Sequence, residues 1–156
     1  MSKSLLFVFS LFLLSFSVFS GVAQAMDDVT GYWLTENKRA VLEIKPCNDN
    51  SVCGEIYWII DGGLQQDIHN EDESLKKRPL CGLEILGGFE QDDPGEWEDG
   101  FIYKADDGDL YDADIEVRED GTLKVRGYLG ISLLGKTQIW TRVNPKDYKR
   151  CAPVYG

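Results

Sequence analysis

The 156-residue chain has one histidine, two methionines, four cysteines and five prolines, and no aspartate or glutamate between residues 121 and 146. Each shortage removes a class of chemistry. His69 stands alone in the polar run Asp-Ile-His-Asn-Glu with no partner pattern for a general base, so it reads as a solvated loop residue, and a histidine-rich zinc site is excluded. No G-x-S-x-G elbow occurs, and no C-x-x-C. Acid pairs are abundant, but Asp112-x-Asp114 lacks the glycine and further ligands of a calcium loop. The reading is therefore a protein with no catalytic residue, no metal site and no cofactor. A net charge of -11 argues against nucleic acid or an anionic membrane surface as the main partner.

Charge is also missing from the start of the chain. Nothing charged separates Lys3 from Asp27, and residues 5–19 are apolar apart from serines, ending near Ala23-Gln24-Ala25. A basic start, an apolar run and an A-x-A site read as a secretory signal peptide spanning residues 1–25. A single membrane anchor is the rival, since the span is just long enough to cross a bilayer. Cleavage predicts a periplasmic or extracellular protein with no stable membrane insertion. It leaves one domain over 26–143 and a tail over 144–156.

Cys47, Cys53, Cys81 and Cys151 all follow that leader, in a compartment where disulfides persist. Four cysteines allow three pairings. Cys47 and Cys53 flank Asn-Asp-Asn-Ser-Val between two strand-like runs, so hairpin ends would bring them together. Cys81 and Cys151 would then tie the tail back to the body.

What remains reads as an antiparallel all-β chain. Short apolar or alternating runs cover 30–36, 39–46, 53–60, 82–89, 100–105, 110–118, 122–129 and 136–143, separated by turn residues such as Asp107-Gly108 and Asp120-Gly121. Only the connection from Asp61 to Leu80 is long, and it reads either as a lid or as a surface excursion. Eight sequential strands with tight reversals predict a single eight-stranded antiparallel up-and-down barrel, which leaves no exposed edge. A two-sheet sandwich is the alternative.

Two resemblances follow from these segments. Gly31-Tyr32-Trp33 resembles the G-x-W signature of lipocalins, and Arg142 stands where those proteins set a basic residue on that Trp, so Trp33 and Arg142 are expected to be structural. More extensively, GYWLTE (Gly31 to Glu36), VLEIKPC and CGEIYW (within Val41 to Trp58), RPLCGLEILGGF (Arg78 to Phe89), W-x-x-G-x-I-Y (Trp97 to Tyr103), D-G-x-x-Y-x-A (Asp107 to Ala113) and RGYLGISLLGKTQIWTR (Arg126 to Arg142) resemble a lipocalin-like secreted bacterial family, domain of unknown function 2147. The resemblance implies a barrel and export. It brings no activity and no assigned site.

The acid-free stretch is where a site is sought. Lys124, Arg126, Lys136, Arg142 and Lys146 make its sequence neighbourhood positive. Period two puts Lys124, Arg126 and Tyr128 on one face, and Lys136, Gln138, Trp140 and Arg142 on one face of the next run. These faces look either out to water or into the barrel. If inward, they would suit a small polar or anionic molecule, and the expected ligand contacts are Tyr57, Trp58, Tyr103, Tyr111, Arg126, Tyr128, Gln138 and Trp140. The apolar segment from Ile131 to Leu134 is expected to plug one barrel end; an exposed apolar lip on the barrel mouth is the alternative. The second functional reading is a protein-interaction or inhibitor module, with a protein partner at the Asp61–Leu80 loop and the Ile131–Leu134 segment.

Overall fold

The computed structural model describes residues 29–48 and 50–155; the expected signal peptide lies outside them. Eight strands run in chain order: β1 Gly31–Leu34, β2 Ala40–Asn48, β3 Ser51–Ile59, β4 Glu84–Asp93, β5 Glu96–Lys104, β6 Asp109–Val117, β7 Leu123–Tyr128 and β8 Lys136–Arg142. Each pairs antiparallel with its neighbour. β1 closes the ring on β8 through Trp33 opposite Arg142 and Leu34 opposite Thr141. The up-and-down barrel is present and the sandwich is excluded.

Period two decides what each strand buries. In β2, Leu42 and Ile44 face the core while Glu43 and Lys45 face out. In β7, Leu123 and Val125 are buried between the half-exposed Lys124 and Arg126. The inward residues of one half of the barrel pack into a solid cluster: Trp33, Trp97 and Phe89 with Ile44, Val52, Leu86, Ile115 and Leu123. Glycine makes room for it. A Cβ on Gly100 would lie 2.3 Å from the Phe89 ring, so this position admits no side chain unless the ring moves. The indole N–H of Trp33 donates to the Val29 carbonyl at 2.8 Å, and the Arg142 guanidinium sits 4.1 Å from the Trp33 ring centroid. That end of the barrel is shut by a cation–π stack and a polar cap.

Both disulfides form as expected, Cys47 with Cys53 across the β2–β3 hairpin and Cys81 with Cys151. The second holds the tail against the outside of β3. The Cys151 N–H donates to the Tyr57 carbonyl at 2.9 Å, Arg150 pairs with Glu55 at 3.0 Å, and Tyr148 packs edge-on to Trp58 with centroids 5.0 Å apart.

β4 and β5 are longer than their apolar content predicts. They run on through Glu90, Asp92, Asp93, Glu96 and Glu98 to a turn at Pro94-Gly95. Glu90 faces Glu98 across this hairpin, and the Asp92 carboxylate, followed by burial, raises the Glu98 pKa.

A half-hollow barrel and its mouth

The other half of the barrel is open. A cavity of about 620 Å³ occupies it, reaching from the buried floor of Leu42, Ile56, Val125 and Trp140 to the ends of β1, β3, β5 and β7. The reason is side-chain size. At the levels where the closed half carries Trp and Phe, the open half presents Ala40, Gly127, Val125 and Ile102, which do not reach across an eight-stranded lumen.

β8 supplies the polar groups. Lys136, Gln138 and Trp140 share its inward face, opposite Gly127, Val125 and Leu123. The Trp140 indole N–H donates to Gln138 Oε1 at 2.9 Å, which orients the amide so that its nitrogen is left over. Among the described residues neither that nitrogen nor the Lys136 ammonium has a protein partner. The other rim cations are engaged: Arg39 lies 3.8 Å from Asp106, and Lys104 is bonded to Asp107. That bond raises the Lys104 pKa. Burial works against the Asp107 carboxylate, but the hydrogen bonds from Lys104 and the Asp109 N–H outweigh it and hold its pKa below the usual range.

Tyr103 and Tyr111 line the cavity with their hydroxyls committed. Tyr111 donates to Asp107 at 3.2 Å, and Tyr103 donates to the fully buried Asp67 at 2.5 Å. Burial first, then the hydrogen bond to a carboxylate, raises both phenol pKa values. Asp67 also accepts from Asn70 at 2.9 Å and from Arg78 at 2.7 Å, and the Arg78 guanidinium lies 5.3 Å from the Tyr103 ring centroid. The long β3–β4 connection is thus braced within itself by the Asp67–Arg78 ion pair and tied to the barrel wall by the Tyr103 phenol. Leu64 and Leu80 from this connection line the cavity. Gly108, at φ +81° in the β5–β6 turn, lets the connection seat there, since a Cβ would meet the His69 carbonyl at 2.0 Å. His69 itself is exposed, in an outer groove with Arg39 and Asp106.

The eight residues expected at the ligand therefore divide. Tyr103, Tyr111, Gln138 and Trp140 line one cavity. Tyr57, Trp58, Arg126 and Tyr128 do not, and each is occupied outside the barrel. Tyr57 and Trp58 hold the tail, with the Tyr57 hydroxyl donating to the Pro145 carbonyl at 3.4 Å. Arg126 donates from Nε to the Ser132 carbonyl and from Nη1 to Thr137 Oγ1, both at 2.8 Å, and Tyr128 donates to Asp114 at 3.1 Å. Nor is the surroundings of the acid-free stretch positive: its acids are on β6, where Glu116 pairs with Lys124 at 2.6 Å and Asp114 faces Arg126. Lys136, which lines the cavity but was not among the expected contacts, carried a signal all the same, since it shares the period-two face of Gln138 and Trp140. The 131–134 segment is not a plug. It forms a 3₁₀ turn at Ser132–Leu134 with no buried residue, on the rim beside Lys136.

A family model described as an uncharacterized protein conserved in bacteria, DUF2147, matches residues 31–142. Among solved structures, protein HP1028 from the human pathogen Helicobacter pylori, described as belonging to the lipocalin family, superposes with a TM-score of 0.70 at 20% identity, over 80% of this chain and 92% of that one. At that identity the likeness is one of fold. No curated protein matches.

Proposed function

We propose, from the premise that this chain belongs to the bacterial DUF2147 family, that it is an exported carrier that binds one small amphipathic molecule in the open half of its barrel and performs no reaction on it. The observation that carries the reading is the pairing of an apolar floor with two donors on one strand face. Leu42, Ile56, Val125 and Trp140 offer area to an apolar body, and the Gln138 amide and Lys136 ammonium offer hydrogen bonds to an acceptor or anionic end nearer the mouth. A fatty chain without a polar end would leave both donors idle, so the polar or anionic class is favoured. The two disulfides and the absence, among the described residues, of a helix long and apolar enough to cross a membrane are compatible with a place outside the cytoplasm.

Native mass spectrometry of the protein purified from its own compartment tests this. The expected result is a dissociable small-molecule adduct lost in Ala40→Trp, which sets a large ring across the cavity. A bare chain in every preparation, or a stoichiometric partner protein, speaks against it.

A further inference from the structure

The β7–β8 connection presents the strongest apolar feature on the surface. Leu129, Ile131, Leu133 and Leu134 are 67%, 57%, 85% and 78% exposed, and Leu110 at the start of β6 is 59% exposed. The β6–β7 register pairs Asp112 with Tyr128, so Leu110 sits level with Gly130, at the root of this lip. Four large aliphatic side chains within six residues of chain are far more than the scattered singles an ordinary surface carries.

Their exposure is built. On the outer face, Arg126 grips the turn by its backbone, donating to the Ser132 carbonyl, while Ser132 Oγ donates to Asp114 at 3.4 Å and the Gly135 N–H closes the turn on the Ser132 carbonyl at 3.0 Å. The same guanidinium reaches Thr137 on β8. With the polar atoms of the turn clamped toward the barrel wall, Leu133 and Leu134 are left pointing away from it.

We infer that this lip docks the mouth of the barrel onto a lipid surface, with Ile131, Leu133 and Leu134 entering the boundary between headgroups and acyl chains. Three observations favour lipid over other occupants. A standard protein–protein interface engages roughly 20–30 residues a side, and this feature has about five, too few for a stable partner or a second copy. The connection itself holds no carboxylate, those beside it on β6 being engaged by Tyr128, Ser132 and Lys124, and the charge that follows the leucines is Lys136, whose long stem can keep its ammonium at headgroup level. The lip also adjoins the cavity through Lys136, so a docked barrel would open toward the bilayer. Because the chain as a whole is acidic, insertion of apolar side chains is the driving interaction, and added salt leaves binding intact.

The test is cosedimentation of the mature, disulfide-bonded protein with phosphatidylcholine vesicles, at low and high salt. This reading goes beyond the carrier proposal and is scored without any cavity ligand. The wild type is expected to sediment at both salt levels, and Leu133→Asp with Leu134→Asp to lower the partition coefficient by about tenfold or more. Both positions are exposed, and an unchanged urea midpoint verifies that the variant folds. In Leu133→Trp, emission shifts to the blue on adding vesicles. A wild type that stays in solution, or a doubly substituted protein that sediments equally well, overturns the inference. So does a concentration-dependent dimer, seen by light scattering, that the double substitution dissolves while vesicles bind neither protein.

Discussion

The two halves of this barrel are walled by the same eight strands and differ in what the inward positions carry. The closed half stacks Trp33, Phe89 and Trp97 over Ile44, Ile115 and Leu123, and the open half meets in Ala40, Gly127, Val125 and Ile102. Strand number sets the width of the cylinder, and side-chain volume decides whether it is a core or a container. Polarity follows the same division. Among the described residues the closed half has one buried polar side-chain atom without a partner, Trp97 Nε1, whereas donors without protein partners in the open half, on Gln138 and Lys136, are collected on one strand facing the cavity.

That contrast can be broken from either side. Trp33→Ala is expected to cost about 3–5 kcal/mol, because it opens a void in a packed cluster and removes the surface on which Arg142 stacks, while Ile102→Ala, on a wall already facing free volume, is expected to cost under about 2 kcal/mol. Urea unfolding of the two variants compares the halves directly, and equal losses would mean that the open half is as tightly packed as the closed one. Next in size is Asp67→Asn, which leaves Arg78 without its carboxylate and puts an amide donor in place of one of the two oxygens that accept from Tyr103, Asn70 and Arg78. Since Arg78 is partly exposed, about 2–3 kcal/mol is expected, below the range for a fully buried pair. Amide exchange in residues 61–80 should rise with it, identifying the Asp67 network, braced by Arg78 and tied to Tyr103, as what holds that connection down.

A smaller effect lies at high pH. The hydrogen bond to Glu43, with burial, pushes the Tyr32 phenol up to about 12 from its ordinary 10.0, and burial, with the hydrogen bond to Asp114, pushes Tyr128 up to about 12. The folded chain thus holds these protons more tightly than the unfolded chain does. Their contribution is complete below pH about 10 and is lost as pH rises toward about 12. A stability profile measured by urea midpoint should fall across that window, and less steeply in Tyr128→Phe. A flat profile would place both hydroxyls in plain solvent.

Much of the barrel was legible because it rests on period two and on turn residues, which act locally. All eight strands and their order follow from the alternation, and both disulfide pairings hold. β4 and β5 came out short because Glu90 to Glu98 reads as an acidic loop. Its carboxylates face water from the outside of a strand, a case that hydrophobic pattern alone does not separate from a turn. The candidate site was half legible. Period two grouped Gln138 with Trp140, but it cannot say which face of a strand is inward when one carries aliphatic side chains and the other an aromatic among polar groups. On β7, Val125 and Leu123 took the interior and sent Arg126 and Tyr128 out. Tyr57 and Trp58 were claimed by a tail whose docking depends on a contact 70 residues away in sequence, Cys81 to Cys151. The lip was misread for a related reason: an apolar run predicts burial unless something holds it outside, and the Arg126 clamp is visible only in three dimensions.

The central claim is that the upper barrel is hollow and receives an amphipathic guest. The most direct measurement is a fluorescence titration of the wild type and of Ala40→Trp with an anionic amphipathic probe, 8-anilinonaphthalene-1-sulfonate. The account predicts one saturable site in the wild type, weakened in Lys136→Glu and absent in Ala40→Trp. No saturable binding, or equal binding by Ala40→Trp, would contradict it.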